Sequence, residues 1–318
     1  MMSNNVLVSL IIPIYNGEKY INNFLKMLKL QSFQEFEVIL VNDGSTDKTA
    51  DLLKNIDDER IFVFYQENKG VSSARNLGIK HASGKFFIFP DIDDQISESY
   101  IKNLVNCQSE ISRLTFSGYV EKNRDGKSLF KYIPKKNFYQ NKLYFIDDMV
   151  KHHGICTALW NKAFLGEIIR KNKITFDENI SIGEDLLFIL SYLYYVNRIV
   201  SVKEADYSYI LNPSGAMNAS NSAFSYKESW NSEWNALKKA ENLILIMCNK
   251  PSTQITYKKY RVASKLLYFS KKFNYNLATT QKNEMKNELR KNFVNYFFRS
   301  NDEFRMKLRV FKRLLRTI

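Results

Sequence analysis

The chain has 318 residues, of which 45% are apolar and 14% aromatic, and its formal net charge is +14. This composition excludes a disordered protein, and the length predicts one large domain with an appendage. The longest apolar stretch, Leu186 to Val196, is much shorter than the ~20 residues that cross a bilayer. The N-terminus lacks the pattern of a secretion signal, so we expect neither a membrane span nor export.

The three cysteines indicate the compartment. Cys107, Cys156 and Cys248 are far apart and form no CxxC pair. This spacing favours neither a disulfide framework nor a zinc site. A reducing, cytoplasmic location is the expectation.

The charge is distributed unevenly along the chain. Residues 227–318 contain 21 of the 47 Lys and Arg residues and 7 of the 33 Asp and Glu residues, which leaves 26 of each in residues 1–226. Such an asymmetry suggests that the basic segment meets a polyanion. It also predicts two domains, at 1–225 and 226–318.

The opening third alternates between apolar strands and amphipathic helices. Strands are predicted at 7–14, 36–41, 61–65 and 86–89, and helices at 20–30, 48–56 and 71–82. This alternation predicts an α/β fold with a mostly parallel, Rossmann-like sheet flanked by helices. Ligands of such sheets bind at the carboxyl ends of the strands.

The pattern becomes less regular after residue 95. We predict helices at 97–107, 144–151, 163–171 and 186–196, a hairpin of 111–120 and 128–133 around Asp125-Gly126, and a strand at 199–202. Four further helices, near 226–248, 255–273, 281–298 and 302–316, predict an all-α C-terminal extension.

Polar and turn-forming residues follow each of the first four strands. They are Pro13-Ile14-Tyr15-Asn16-Gly17, Asn42-Asp43-Gly44-Ser45-Thr46-Asp47, Glu67-Asn68-Lys69-Gly70 and Pro90-Asp91-Ile92-Asp93-Asp94. The second of these segments is equally typical of a plain turn that caps a helix, with Ser45 or Thr46 as the cap.

The acidic cluster is the strongest chemical signal. Asp91, Asp93 and Asp94 follow an apolar strand directly, and three carboxylates so close together repel one another unless a cation neutralises them. Mg²⁺ or Mn²⁺ held by one or two carboxylates and by substrate phosphates is the usual arrangement for a diphosphate. A solvated acidic loop is the alternative.

The order of these motifs resembles the family 2 glycosyltransferases of the GT-A fold, including bacterial capsule, O-antigen and wall-polysaccharide enzymes. The matching segments are Pro13 to Asn16, Val41 to Asp47, Asn68 to Gly78 and Asp91 to Asp94. Each motif is weak alone, but four in this order are specific. The resemblance covers about residues 5–215.

The resemblance implies a UDP-sugar site. Its nucleotide-sugar contacts would be Pro13, Tyr15, Asn16, Asp43, Asn68, Arg75, Asp91 and Asp94. Asp43 would accept the uracil imide N–H, and Arg75 would contact the uracil or the diphosphate. Asp93 would ligate the metal directly, with Asp91 as a further ligand or a ribose contact. Arg75 is otherwise an ordinary helix arginine.

The resemblance also implies a catalytic base and an acceptor site. An inverting transfer needs a carboxylate to remove the acceptor hydroxyl proton, and Glu184-Asp185 resembles the Glu-Asp pair in which the aspartate is the base. Trp160-Asn161-Lys162 resembles the family's Trp-Asn-Lys segment, whose aromatic face would stack on a sugar. The resemblance therefore implies Asp185 as the base and Glu184 and Trp160 as acceptor contacts. The alternatives are acidic residues favoured at a helix start and a core tryptophan.

One departure from the family pattern affects phosphate binding. Many members have Tyr-Arg late in the domain, where this chain has Tyr209-Ile210. We expect Lys203 or a backbone turn near residues 212–215 to replace that arginine.

The last predicted helix is amphipathic and basic. Phe304, Leu308, Phe311 and Leu315 share one face, and arginine and lysine occupy much of the rest. This pattern is typical of a helix on an anionic membrane surface and equally of a helix that packs on its own body or on another subunit. No nucleic-acid motif accompanies it.

Together these observations predict a metal-dependent hexosyltransferase in surface polysaccharide synthesis. Its partners would be a UDP-sugar donor and a saccharide or lipid-linked saccharide acceptor, and it would lie at the inner face of the membrane. A non-catalytic scaffold with the same fold is the alternative. A nucleotidyltransferase is disfavoured because Tyr15-Asn16-Gly17 is shorter than a phosphate loop. The oligomeric state stays open, with a homo-oligomer among the outcomes.

Overall fold

A computed structural model describes residues 7–105, 113–151, 153–212, 225–300 and 302–317. Within them the strands are β1 (Val8–Ile14), β2 (Phe36–Asp43), β3 (Ile61–Gln66), β4 (Phe86–Ile88), β5 (Gln95–Ile96), β6 (Arg113–Lys122), β7 (Ser128–Tyr132), β8 (Phe138–Tyr139), β9 (Lys162–Leu165) and β10 (Arg198–Ile210).

The helices of the same ranges are α1 (Ile21–Lys29), α2 (Thr49–Lys54), α3 (Val71–His81), α4 (Tyr100–Val105), α5 (Lys142–Val150), α6 (Gly166–Lys171), α7 (Glu184–Leu193), α8 (Ser229–Cys248), α9 (Thr253–Lys272), α10 (Thr279–Val294) and α11 (Phe304–Thr317). A π-helical turn, Asn295–Arg299, follows α10. Each helix in the described ranges is too short or too polar to span a bilayer.

The chain forms two compact units. The first contains Met1–Lys142, Thr157–Glu178 and Phe188–Asn212, and the second contains Leu143–Cys156, Asn179–Leu187 and Pro213–Ile318. The second unit therefore takes in two segments that the sequence pattern placed in the first predicted domain.

A mixed sheet organises the first unit. Its strand order is β3-β2-β1-β4-β9-β6-β10-β5, with β7 on β6 and β8 on β10. The pairs β3-β2, β2-β1, β1-β4 and β6-β10 are parallel, whereas β9 is antiparallel to both β4 and β6. Every residue of β2 is buried, as expected for an apolar strand covered on both faces. Asn42 and Asp43 therefore end a fixed, central strand.

The structure confirms most of the predicted elements and corrects one. A helix was predicted over 163–171, but Lys162–Leu165 is strand β9 and the helix begins only at Gly166. Residues 163–165 are short and apolar, so periodicity alone cannot separate a helix start from a buried strand. Pairing with β4 and β6 decides the conformation. The late strand also continues to Ile210, well beyond its predicted end.

An aromatic core holds the helices of the second unit together. Tyr257 and Tyr260 of α9, Tyr296, and Val310 and Leu314 of α11 form one buried cluster. The Tyr260 and Tyr296 rings stack with their centroids 4.5 Å apart. α11 is thus docked through the face that carries Val310 and Leu314.

Candidate functional site

Hydrogen bonds join the loop after β1 to the loop after β2. The Asn16 backbone N–H donates to Ser45 Oγ at 3.0 Å, and the Thr46 N–H donates to Asn16 Oδ1 at 2.8 Å. The Gly17 N–H donates to Thr49 Oγ1 at 2.8 Å. Asn16 adopts a left-handed conformation, with φ of 52°, which asparagine tolerates better than most residues. These two motifs therefore build one structure.

Asp47 reinforces the same junction. Its two carboxylate oxygens accept the backbone N–H groups of Glu18, at 3.2 Å, and Thr49, at 3.0 Å. Burial raises the pKa of Asp47, but hydrogen bonds from Thr49 and Glu18 lower that pKa overall. Asp47 is thus an ionised clamp between the loops and caps the start of α2.

Asp43 joins the end of β2 to the loop after β3. The buried carboxylate accepts Gln66 Nε2 at 2.7 Å, the Lys69 N–H at 2.8 Å and the Gly70 N–H at 2.9 Å. The predicted uracil contact therefore has a fixed orientation before any ligand binds. Three donors occupy part of its acceptor capacity, and the remaining lone pairs are those that a uracil imide would use.

Gly44 permits the loops after β2 and β3 to approach closely. Its φ is 67°, and a Cβ at this position would lie 2.6 Å from the Asn68 backbone nitrogen. A side chain would therefore force the two loops apart. Asn68 itself is exposed at the same edge.

Arg75 connects α3 to the acidic cluster. The guanidinium is buried, with Nη2 3.3 Å from Asp91 Oδ1 and its centre 5.4 Å from the centroid of the Phe176 ring. A buried cation beside a carboxylate and an aromatic face is held in place on several sides. The geometry supports a role beyond that of a surface helix arginine.

The three aspartates have different environments. Asp94 is buried, and its two oxygens accept the Tyr207 hydroxyl and the Ile210 N–H, each at 2.7 Å. Burial, followed by repulsion from Asp91, raises the pKa of Asp94 to about 8. Burial also raises the pKa of Asp93. Asp91 and Asp93 are half-buried.

A divalent cation fits Asp91 and Asp93 better than it fits Asp94. The oxygens of Asp94 accept hydrogen bonds from Tyr207 and Ile210 within the fold, whereas Asp91 and Asp93 are partly exposed. Among the described residues, no group of three or more Asp, Glu, His or Cys side chains is placed to hold a metal. A cation here would need substrate phosphates as further ligands, which is how Mg²⁺ is commonly bound.

The remaining predicted donor contacts lie around this edge. Pro13 is half-buried in β1 beside Val41, and Tyr15 follows the strand with its ring exposed. The structure thus places Asn16 in the loop after β1, Asp43 at the end of β2 and Arg75 in α3. Hydrogen bonds join the loops that follow β1, β2 and β3. Lys203 lies exposed on β10, whereas residues 213–215 of the alternative phosphate turn lie outside the described residues.

Trp160 is a packed residue in the first unit. It is buried, and its ring stacks on Tyr207 with centroids 4.4 Å apart and planes 2° apart. The Trp160 carbonyl accepts the Tyr100 hydroxyl at 2.5 Å. These contacts favour the interpretation of Trp160 as a core residue that supports Tyr207, and through it Asp94, over direct stacking on a sugar.

Glu184 and Asp185 begin helix α7 and are half-buried in the second unit. The preceding segment is fixed against α8. Ser232 Oγ accepts the Ile182 N–H at 3.0 Å and lies 3.1 Å from Ser181 Oγ. Gly183 has φ of 98°, and a Cβ there would lie 2.7 Å from Ala236 Cβ. The segment that leads into the helix of the predicted base is therefore held in place by its contacts with α8.

Sequence reasoning missed the residues that position the predicted ones. Tyr207 and Tyr100 support the aspartates and Trp160, Gln66 fixes Asp43, and Ser232 fixes the entry to α7. These residues belong to no recognised motif. The alternating tyrosines Tyr207 and Tyr209 on a late strand are the sequence signal for such supporting residues. The sequence does not show, however, that the strand order of the sheet places this strand beside the Asp91–Asp94 loop.

Comparisons with known proteins identify the family. The sequence model of glycosyl transferase family 2 matches residues 9–164. The uncharacterized glycosyltransferase EpsJ of Bacillus subtilis strain 168 is 32% identical over 217 residues, which cover 65% of this chain and 62% of EpsJ. A teichoic acid poly(glycerol phosphate) polymerase of Staphylococcus epidermidis is 27% identical over 342 residues, covering 97% of this chain and 45% of the polymerase. The chain thus matches about half to three-fifths of these relatives' lengths.

Solved structures agree on the fold. TarS 1–349 of S. aureus, crystallised with UDP-GlcNAc, superposes with a TM-score of 0.62 at 22% identity, covering 98% of this chain and 88% of the TarS chain. The same TarS fragment was also crystallised with UDP. The motifs, their geometry and the sequence match together show that this chain, through residues 9–164, belongs to glycosyl transferase family 2 and has the GT-A fold.

Proposed function

We propose that the protein is an inverting glycosyltransferase that moves a hexose from a UDP-sugar to a saccharide or lipid-linked saccharide acceptor in bacterial surface-polymer synthesis. The observation that carries the proposal is the edge formed by Asp43, Arg75, Asp91 and Asp93. It combines a carboxylate that suits the uracil imide, a buried guanidinium 3.3 Å from Asp91, and the partly exposed carboxylate of Asp93. TarS, with the same fold, binds UDP and UDP-GlcNAc, which supports a uridine nucleotide as ligand.

The residues of this chain divide the work of donor binding. Asp43 accepts a hydrogen bond from the uracil imide N–H, while Asn16, Asn68 and Tyr15 border the nucleoside. The Arg75 guanidinium offsets negative charge that grows on the departing diphosphate. Mn²⁺ or Mg²⁺, when held by Asp91 and Asp93, would act as a Lewis acid on the phosphate oxygens.

The transfer itself needs one proton acceptor. Asp185 takes the proton from the acceptor hydroxyl as that oxygen forms its bond to the anomeric carbon. The anomeric carbon–phosphate oxygen bond breaks on the opposite face, and the electron pair leaves with the nucleoside diphosphate. Attack from behind inverts the anomeric configuration. Glu184, beside the base, is the proposed acceptor contact.

Calorimetric titration tests the donor site. The purified protein is titrated with UDP, UDP-glucose, UDP-galactose and UDP-N-acetylglucosamine, with Mn²⁺ or with EDTA. We expect binding that requires the metal and is lost in Asp93→Ala. Asp51→Ala, which removes an exposed carboxylate on α2, is the matched control and should bind normally. Binding to none of these nucleotides would overturn the proposal.

A donor-turnover assay distinguishes the enzyme from a scaffold with the same fold. An enzyme should release UDP slowly from one of the sugars even without acceptor, and Asp185→Asn should change that rate. Tight nucleotide binding with no UDP release and no transfer to any glycan acceptor would instead support the scaffold.

A further inference from the structure

An open groove runs between α9 and α11 in the second unit. It encloses about 440 Å³ and is lined by Tyr268, Phe269 and Leu308 and by six cationic side chains, Lys272, Arg305, Arg309, Lys312, Arg313 and Arg316. No acidic side chain of the described residues lines it. Burial, followed by the neighbouring Arg309, lowers the pKa of Arg313. The groove is thus a concentration of positive charge that favours an anion.

The exposed face of α11 is apolar as well as basic. Val310 and Leu314 are buried against the aromatic core, so they are the residues that dock the helix. Phe304 is 78% exposed and Leu315 is 64% exposed, with Leu308 and Phe311 between them also exposed. The predicted apolar stripe therefore packs only partly on its own unit: the Phe311 ring lies edge-to-face on Phe297, with centroids 6.0 Å apart, whereas Phe304 and Leu315 are largely exposed. It forms an outward surface bordered by the cations of the groove.

Ion pairing elsewhere in this unit leaves four of the α11 cations without a carboxylate partner among the described residues. Carboxylates on α8 and α10 pair with cations on α8 and α9, as in the contacts of Lys259 with Glu241 at 2.7 Å and Glu288 at 3.1 Å. Asp302 pairs with Arg261 at 2.5 Å. Within the described ranges, Arg305, Arg309, Lys312 and Arg316 form no ion pair.

We propose that α11 docks the protein on the surface of an anionic phospholipid bilayer, with its apolar stripe at the headgroup–acyl boundary and the α9–α11 groove taking lipid phosphates. An amphipathic helix with aromatic and leucine side chains beside arginine and lysine binds such surfaces through buried area and charge together. This inference stands on the second unit alone and is independent of the donor chemistry.

Two other occupants fit the surface less well. Nucleic acid would satisfy the cations, but it would leave Leu308 and Leu315 against a polar backbone. A second copy would cover the stripe, but a two-fold interface would bring the α11 cations together without acidic partners. Only an anionic interface with an apolar layer beneath it complements both features.

Vesicle co-sedimentation of the full chain tests the charged half of the proposal. We expect binding to phosphatidylcholine vesicles that contain about a third phosphatidylglycerol, and little binding to pure phosphatidylcholine. The double variant Arg309→Glu/Lys312→Glu should bind at least ~30-fold more weakly, since each cation near such a surface contributes a factor of about five. The matched control, Arg290→Glu/Lys291→Glu on α10, changes the net charge equally at exposed sites and should retain most of the binding.

A single substitution tests the apolar half. Leu315→Ser should weaken vesicle binding about five- to tenfold, because it removes an inserted side chain. Ile246→Ser on α8, where the wild-type side chain is 70% exposed, is the control and should have no effect. Unchanged circular dichroism of each variant verifies folding.

Three results would overturn the proposal. The first is equal loss of binding in the α10 and α11 charge variants, which indicates net charge alone. The second is binding that duplex DNA competes away and Leu315→Ser leaves unchanged, which indicates a nucleic-acid surface. The third is a dimer in analytical ultracentrifugation that Leu315→Ser dissociates, without wild-type vesicle binding.

Discussion

The two units use their polar residues in opposite ways. At the edge of the first unit, Asn16, Asp43 and Asp47 bond to backbone N–H groups of neighbouring loops, so much of their hydrogen-bonding capacity holds the site together. On α11, the side chains of Arg305, Arg309, Lys312 and Arg316 are exposed beside exposed apolar residues. A motif of polar residues can thus shape a site without touching its ligand, whereas uncompensated charge on a rigid helix indicates a partner.

The largest expected effect is that of Asp185→Asn, which removes a polar side chain proposed to act on the acceptor rather than to hold the first unit's loops together. We expect the transfer rate to fall about a thousandfold, since a positioned general base contributes a factor of roughly 10² to 10⁴. UDP-sugar affinity should be unchanged, because the proposed donor contacts are other residues. Steady-state transfer assays and calorimetry measure the two effects separately. Asp51→Asn serves as the control. A near-normal transfer rate for Asp185→Asn would exclude Asp185 as the base.

Buried charge in the second unit should matter more for stability than exposed charge in the first. Lys259→Met should lower the free energy of unfolding by about 3 kcal/mol, because Glu241 and Glu288 lose their common cation. Lys54→Met removes an exposed partner of Asp51, 3.7 Å away, and should cost less than about 0.5 kcal/mol. Urea unfolding followed by far-UV circular dichroism compares the two; equal effects would contradict the assignment of Lys259 as a structural cation.

The close approach of the first unit's loops can be tested by adding a methyl group. Gly44→Ala should cost about 2–3 kcal/mol, since it combines a φ of 67° with a Cβ 2.6 Å from the Asn68 nitrogen. Gly126→Ala has a similar φ of 79° but meets nothing within 4 Å, so it should cost about 1 kcal/mol. Thermal unfolding and UDP titration of both variants isolate the steric contribution. Similar losses of stability in the two variants would show that only backbone strain, and not the contact with Asn68, determines the cost.

The smallest expected effect concerns one hydrogen bond. Thr49→Val keeps the shape of the side chain but removes the acceptor of the Gly17 N–H, and it should cost about 1–2 kcal/mol. Thr256→Val on α9 removes only a hydroxyl that donates to the Ser252 carbonyl at 3.0 Å, so little change is expected. If the two threonines prove equivalent in urea unfolding, the loop junction is not the rigid element that its hydrogen bonds indicate.

Much of the fold could be predicted because its strands are short apolar runs bounded by turn residues. β1, β2 and β3 and the helices between them appear where periodicity places them. β9 could not be predicted, since only its pairing with β4 and β6 distinguishes it from a helix start. Likewise the sequence singled out Asp94 as acidic, but not as buried, because Tyr207 reaches it from a strand more than a hundred residues later.

The hydrogen bonds of the first unit's edge also constrain the order in which it can form. Gly17 and Thr49 are 32 residues apart, and Asp43 and Lys69 are 26 apart. Neither bond can form until β1, β2 and β3 have come into register. The entropy cost of loop closure therefore arises before these hydrogen bonds stabilise the fold. During synthesis, the hydrogen bonds that join the loops after β1, β2 and β3 therefore cannot all form until residue 70 has emerged.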